Sequence, residues 1–218
     1  MKTKRSFITS LVAAAALTAA GLGVTAQADT ELPPRPATDA VVSQGLLGQV
    51  YGTLTYSYIN LDGPATHGDD YQFALNQPLS FGFDGFLSYD YAELGLGGGL
   101  HSYQNTLLAG LRPFSTRFNW GKPYLEAGAG YAWASTAGVN DNSFVWEVAA
   151  GAEFQVNPQT TITPYVRYVD APDLPGDGTW NFGAKGNYWV TPQWAVTAGV
   201  NVTDNKDVGF TVGTNFHF

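Results

Sequence analysis

The sequence predicts an all-β protein folded as a closed antiparallel transmembrane β-barrel of ten strands, with eight as the alternative count. Three observations carry this expectation. From Gly48 onward apolar and polar residues alternate with a period of two in short runs, Tyr and Trp recur at one end of those runs, and the chain finishes with Phe218 on an apolar face. A period of two sends successive side chains to opposite faces of a strand, and a barrel in a membrane needs one face for lipid and the other for its interior. No convincing 3.6-residue stripe competes with that pattern.

Composition narrows the choice further. The 218 residues hold 26 Gly, 6 Trp, 12 Tyr and 13 Phe, no Cys, and only 13% charged residues. That length suits one folded domain. Without Cys, disulfide frameworks, thiolate zinc sites and thiol nucleophiles are excluded together. The net charge is −8, and its ten basic residues are scattered rather than clustered, which argues against a nucleic-acid partner. Mean hydropathy is −0.09, a value that would suit a soluble protein. In a barrel it is the average of two opposite surfaces.

Taken in chain order, Lys2, Lys4 and Arg5 precede an uncharged Ala- and Leu-rich stretch from Phe7 to Val24, closed by Ala26-Gln27-Ala28. This is the pattern of a secretory signal peptide over residues 1–28. Cleavage there leaves 190 residues and a net charge of −11, because three of the ten basic residues and none of the acids are removed. Residues 29–46, with Pro33, Pro34 and Pro36 among polar neighbours, read as an extended periplasmic linker. The barrel is expected over 47–218.

Ten runs follow, at 48–60, 70–76, 80–93, 101–113, 123–135, 144–156, 160–169, 179–190, 193–203 and 207–218. The last is the clearest: Val208, Phe210, Val212, Thr214, Phe216 and Phe218 share one face, and Gly209, Thr211, Gly213, Asn215 and His217 the other. In 193–203 Trp194, Val196, Ala198, Val200 and Val202 oppose Ala195, Thr197, Gly199 and Asn201. In 144–156 Phe144, Trp146, Val148, Ala150, Ala152, Phe154 and Val156 oppose Glu147, Gly151, Glu153 and Gln155. The 70–76 run is the shortest, and removing it with its neighbour gives the eight-strand alternative. Asn76-Gln77-Pro78, Asn157-Pro158-Gln159 and Thr191-Pro192 read as tight turns, while 61–69, 94–100, 136–143 and 170–178 read as longer loops on the opposite side. The tight link 203–206 and the long link 114–122 break this alternation. Pro164 implies a bulge or a late strand start, since proline has no N–H for the ladder.

Which face points outward is decided by the aromatics. At the long-loop end the apolar face carries Tyr58, Tyr71, Tyr91, Tyr103, Trp133, Trp146, Tyr168 and Trp180. Amphipathic rings at one height suit a headgroup layer, so these eight are expected to form an aromatic girdle on a lipid-facing surface. The polar face then lines the lumen with Asp84, Asp90, Arg112, Glu126, Glu147, Glu153, Arg167 and Lys185. Glu126, Glu147 and Glu153 face strands that bring Arg167 and Lys185, so internal pairing in a narrow or plugged lumen is expected ahead of ion selectivity.

The alternating Phe210, Val212, Phe216 and Phe218 resemble the C-terminal sorting signal of bacterial outer-membrane barrels. Stretches such as YLEAGAGYAW, FQVNPQTTITPYVRYVD, GNYWVTPQWAVTAGV and VGFTVGTNFHF resemble small outer-membrane, porin-like and opacity-like barrels of proteobacteria. The resemblance covers residues 48–218 as architecture and repeat style. It implies the outer membrane as location, outer-membrane lipid and lipopolysaccharide as surroundings, and the barrel-assembly machinery as a partner in biogenesis. A structural or surface-interaction role, or a narrow channel, follows from it, with no cofactor and no metal.

Two alternatives stand beside this reading. One is a soluble exported lipocalin-like binder, which would turn the apolar face inward around an apolar ligand. The other is a rim hydrolase: omptin proteases also have ten strands, and the long-loop rim here offers His67, His101, Asp69, Asp70 and Ser102. His101 and Ser102 are adjacent and must point to opposite faces of a strand, and His217 lies at the other end. The rim is acidic, with Asp62, Asp69, Asp70, Asp141, Asp170, Asp173, Asp177, Asp204 and Asp207 against Lys206. DAPDLPGDG at 170–178 has the Asp density of a calcium loop without its full ligand spacing or terminal Glu, and a solvated acidic surface is expected.

Overall fold

The computed structural model describes residues 45–61, 67–80, 82–95, 100–136, 139–174 and 178–218. The expected signal peptide, most of the expected linker, Asp62 and Asp177 lie outside the described residues. Ten strands appear: β1 (Tyr51–Asn60), β2 (His67–Ser80), β3 (Phe83–Gly95), β4 (His101–Pro113), β5 (Lys122–Thr136), β6 (Val139–Asn157), β7 (Thr160–Asp170), β8 (Thr179–Trp189), β9 (Trp194–Thr203) and β10 (Val208–His217). Each pairs antiparallel with its chain neighbours, and β1 pairs with β10, so the sheet closes on itself. Closure leaves no strand edge, which a membrane interior demands because hydrocarbon offers no partner to a free N–H or C=O.

Ten strands removes the eight-strand alternative. The segment expected at 70–76 is in fact a 14-residue strand, paired with β1 from His67 to Asn76 and with β3 from His67 to Ser80. Asn76-Gln77-Pro78, expected as a turn, therefore lies inside β2, and the reversal comes at Gly82 with φ 84°. Pro78 is tolerated because the β2–β3 register shifts between Pro78 and Ser80, where a missing N–H interrupts nothing. Pro164 neither delays β7 nor shifts its register with β8, where it pairs with Ala184. Instead the β6–β7 ladder lapses between Gly151↔Tyr165 and Phe154↔Ile162, and the register shift falls later, between Gln155 and Asn157. β6 starts at Val139, five residues before the expected 144, which shortens the loop expected at 136–143.

The apolar faces point outward. Leu54, Phe73, Leu125, Val148, Phe182, Val200, Phe210 and Val212 are all exposed, whereas inward neighbours such as Thr55, Asp84, Glu147, Asn187, Thr197 and Asn215 are buried. A lipocalin-like binder needs the reverse, so that alternative is overturned. Several inward positions are glycine for lack of room. At Gly130 in β5 an added Cβ would lie 1.9 Å from the Leu107 carbonyl oxygen of β4.

The start of β1, the end of β10, the reversal at Gly82 and the 114–121, 158–159 and 190–193 links share one end of the barrel, here the turn end; the other is the loop end. The tight β9–β10 link at the loop end is closed by Lys206 N–H donating to the Thr203 carbonyl at 3.0 Å and Asp207 N–H donating to Thr203 Oγ1 at 3.1 Å. Lys206 takes φ 70° there, a left-handed value that costs a residue with a Cβ. Lys206→Gly is accordingly expected to stabilise the barrel by about 0.5–1 kcal/mol, measured as a higher midpoint of urea unfolding.

Candidate functional site

Among the described residues chemistry-bearing side chains converge in the lumen, and all eight charges expected there point inward. Strand alternation fixes their face, while stagger between strands fixes their height and so their partners. Arg167 Nε donates to Glu147 Oε2 at 2.6 Å, joining β7 to β6 as expected. Glu126 pairs instead with Arg112 of β4, and Glu153 with Lys122 of β5 at 3.5 Å. Neither Arg112 nor Lys122 was expected as the partner. Lys185 makes no ion pair among the described residues and sits 5.8 Å from the centroid of the Tyr165 ring. Asp90 accepts from Gln72 Nε2 at 2.6 Å and from Ser88 Oγ at 3.4 Å. Asp84 is fully buried and accepts from the Gly48 N–H at 3.0 Å.

On the opposite wall a neutral network replaces the ion pairs. Asn187 donates to Thr161 Oγ1 at 3.3 Å and accepts from Thr197 Oγ1 at 2.6 Å and Asn215 Nδ2 at 2.9 Å, while Thr53 Oγ1 donates to Asn215 Oδ1 at 2.6 Å. The network ties β7, β8, β9, β10 and β1 together without charge. Buried polar groups satisfied in this way rigidify the interior instead of leaving it open to solvent.

Packing divides the space that remains. A cavity of about 190 Å³ lies toward the turn end, against Tyr51, Arg112, Tyr124, Glu126 and Lys185. A second, of about 340 Å³, lies toward the loop end, against Asp70, Asp90, Gln104 and Asn181. Arg167 lines both. Beside the second, Leu108, Ala132 and Val145 form a buried apolar cluster, and Ala171 and Leu174 of the β7–β8 connection pack against it. The barrel interior is therefore narrowed by ion pairs, amides and a small apolar cluster to these two cavities.

At the loop-end rim the eight aromatics expected as a girdle all lie on the outward face. Tyr71, Tyr91 and Tyr103 follow one another around the barrel with ring centroids 6.3 Å apart at each step. Trp146, Tyr168 and Trp180 form a second run at 5.3 and 4.9 Å. Trp133 packs edge-on to Tyr131, and Tyr58 stacks on His67. A comparable belt at the turn end was not anticipated: Phe83, Tyr188, Trp194, Phe216 and Phe218 are exposed, and Phe118, Trp120 and Phe154 pack in series with tilted rings. Their signal was present in the same alternation, at the opposite strand ends. Eight residues separate Trp180 from Tyr188 along β8, about 26 Å at a strand's rise, or about 20 Å along the axis at a tilt near 40°.

The rim residues weighed for catalysis are not assembled. His101 Nδ1 lies 2.8 Å from Glu93 Oε1 on the outward face. Ser102 turns inward and meets Thr136 Oγ1 at 2.6 Å, and His67 is engaged with Tyr58. His217, at the turn end, packs on Trp189 with centroids 4.4 Å apart. Of the rim acids, Asp69 accepts from the Tyr56 hydroxyl at 2.5 Å, and Asp204 from the Trp180 N–H at 3.2 Å. Asp173 donates its own N–H to Ser143 Oγ at 3.0 Å. No group of His, Asp and Glu that could hold a metal ion occurs among the described residues.

No protein-family model and no curated protein matches the sequence. Solved structures of similar form include the β domain of the Bordetella autotransporter BrkA (10% identity, 78% of this chain and 99% of that chain, TM-score 0.49). Neisserial surface protein A has 14% identity, with 78% of this chain and 96% of that chain covered, at a TM-score of 0.45. OprG from Pseudomonas aeruginosa has 12% identity over 78% of this chain and 96% of that chain, at 0.43. A closed ten-stranded barrel, apolar outside, belted by aromatic rings and paired within, has the fold of an outer-membrane β-barrel protein.

Proposed function

We propose that this chain serves the outer membrane as a closed barrel with a structural or surface-presenting role, and that its lumen does not conduct freely. The observation that carries this reading is the internal pairing of Arg112 with Glu126 and Arg167 with Glu147. Charges lining a working pore face water and passing ions. Here Arg112, Lys122 and Arg167 are taken up by Glu126, Glu153 and Glu147, and a neutral network around Asn187 occupies the other wall, which supports a closed interior. The outward Phe210, Val212, Phe216 and Phe218 fit a sorting signal read by the barrel-assembly machinery.

The purified full-length protein in a planar bilayer tests the reading. Conductance is expected to show no steady open-pore level, and the protein should fractionate with outer membranes and run faster in detergent gels before heating than after. Recovery in the soluble periplasmic fraction would overturn the assignment, and a stable large conductance would replace the closed barrel by a channel. In that second case inward Asp70, Asp84, Asp90, Glu126, Glu147 and Glu153 outnumber Arg112, Lys122, Arg167 and Lys185, so the reversal potential should favour cations.

A further inference from the structure

The chain enters the barrel by an indirect route. The linker expected through residue 46 ends earlier, because Gly45 and Leu46 already belong to a compact turn at the turn-end mouth, and β1 begins at Tyr51 rather than 48. Gln49 N–H donates to the Leu46 carbonyl at 3.2 Å, closing a four-residue reverse turn. Gly48, its third residue, has φ 83°, the left-handed value that a type II turn requires at that position. Gly45 is also left-handed at φ 77°, and a Cβ there would fall 2.1 Å from Glu153 Oε1. The turn is tucked inward: Leu47 is only 5% exposed, and Leu46 and Leu47 both line the 190 Å³ cavity.

Four inward side chains hold this turn by its backbone groups. Glu153 of β6 accepts the Leu46 N–H at 2.7 Å, and Asp84 of β3 accepts the Gly48 N–H at 3.0 Å. Lys122 of β5 donates to the Leu47 carbonyl at 3.2 Å, and Asn76 of β2 donates to the Gln49 carbonyl at 2.8 Å. Acceptor and donor alternate along the turn from Leu46 to Gln49, so the mouth is built to receive a length of main chain. Three of the four bonds are charge-assisted and correspondingly strong. One element opposes them. Asp84 is fully buried, and among the described residues its Oδ1 has no hydrogen-bond partner, a costly state for a carboxylate that solvent would relieve.

The geometry points to residues 45–49 acting as an autoinhibitory lid, a segment of the chain itself that closes the turn-end mouth over the cavity and can leave it while the barrel stays folded. The β1 ladder starts at Tyr51↔His217 and Tyr51↔Asn76, so withdrawal of the lid breaks no ladder pair. Opening exchanges these backbone bonds for water and frees the Asp84 carboxylate. The inference rests on the closed-barrel reading and adds to it a second closure that can be released.

The absence of Cys from the chain makes the test direct. Ala74→Cys places a single thiol on the wall of the turn-end cavity, and Ala92→Cys places one in the loop-end chamber. Each full-length protein, folded in detergent micelles, is reacted with a small charged methanethiosulfonate reagent. Adding Gly48→Val, which alters only the lid, is expected to speed labelling at position 74 roughly tenfold by raising the open population, with no change at position 92. Asp84→Asn, which weakens one anchor, should act in the same direction and serves if the first variant does not fold. An unchanged rate at position 74 in a barrel that still migrates as folded before heating overturns the lid, as does an equal rise at both positions, which is general loosening. The two ideas fail separately. Steady conductance by the unaltered protein removes the closed barrel, whereas a silent protein whose labelling ignores Gly48→Val removes only the lid.

Discussion

Replacing Arg112 by Ala is expected to cost the folded barrel about 3 kcal/mol, read as a lower midpoint of urea unfolding at unchanged slope for protein folded into lipid vesicles. The side chain is 17% exposed and that of its partner Glu126 11%. Arg112 also donates to the Tyr51 hydroxyl at 3.1 Å and to Asn76 Oδ1 at 3.2 Å, with its guanidinium 5.2 Å from the Phe86 ring and 5.7 Å from that of Tyr124. Alanine therefore removes more than a pair. It leaves Glu126 in a poorly hydrated lumen without its nearest counter-charge, and it leaves Asn76, which also anchors the turn at the mouth, without one of its donors. Taking both charges away, as in Arg112→Met with Glu126→Leu, removes the desolvation problem together with the attraction, and should cost much less than the single change. Equal losses in the single and double variants would mean that the pair contributes nothing and that Arg112 acts only through packing.

How much of this was legible in the sequence varies with what each element required. β9 and β10 were readable to within a residue because their alternation is strict, each outward position being apolar but Thr214. β2 was half hidden: Asn76-Gln77-Pro78 has turn chemistry, and the ladder supplied by β3, with β1 reaching as far as Asn76, overrides it. For the lumen, period two put the eight expected charges on the inward face without giving their height, and it missed the inward Lys122 and Asp70. Stagger between strands is a global property of closure, so Glu147–Arg167 could be expected, while Arg112–Glu126 and Lys122–Glu153 could not. The turn at 45–49 has no periodicity at all. Its sequence signal was the pair Gly45 and Gly48, which looks like linker glycine until the left-handed φ of both residues and the inward carboxylates of Glu153 and Asp84 are seen together.

Ala198→Arg on the outward face is expected to destabilise the barrel by about 2–4 kcal/mol, the cost of an arginine facing lipid near the bilayer midplane. Ala198 lies midway along β9, four residues from Trp194 in the turn-end belt and four from Val202 near the loop end, and its side chain points away from the lumen. The same substitution at Asp204, on the loop-end rim, should cost no more than about 1 kcal/mol, because the guanidinium there reaches headgroups and water. The contrast with depth is the informative quantity. On a barrel surrounded by water both positions are simple surface sites, and each change would fall within about 0.5 kcal/mol. Ala198→Leu supplies the control for bulk: it enlarges the side chain without charge, so it should leave stability unchanged or raise it. A penalty shared by Leu and Arg at position 198 would locate the cause in packing against β8 and β10, and a penalty confined to Arg and fading toward the rim would locate it in lipid.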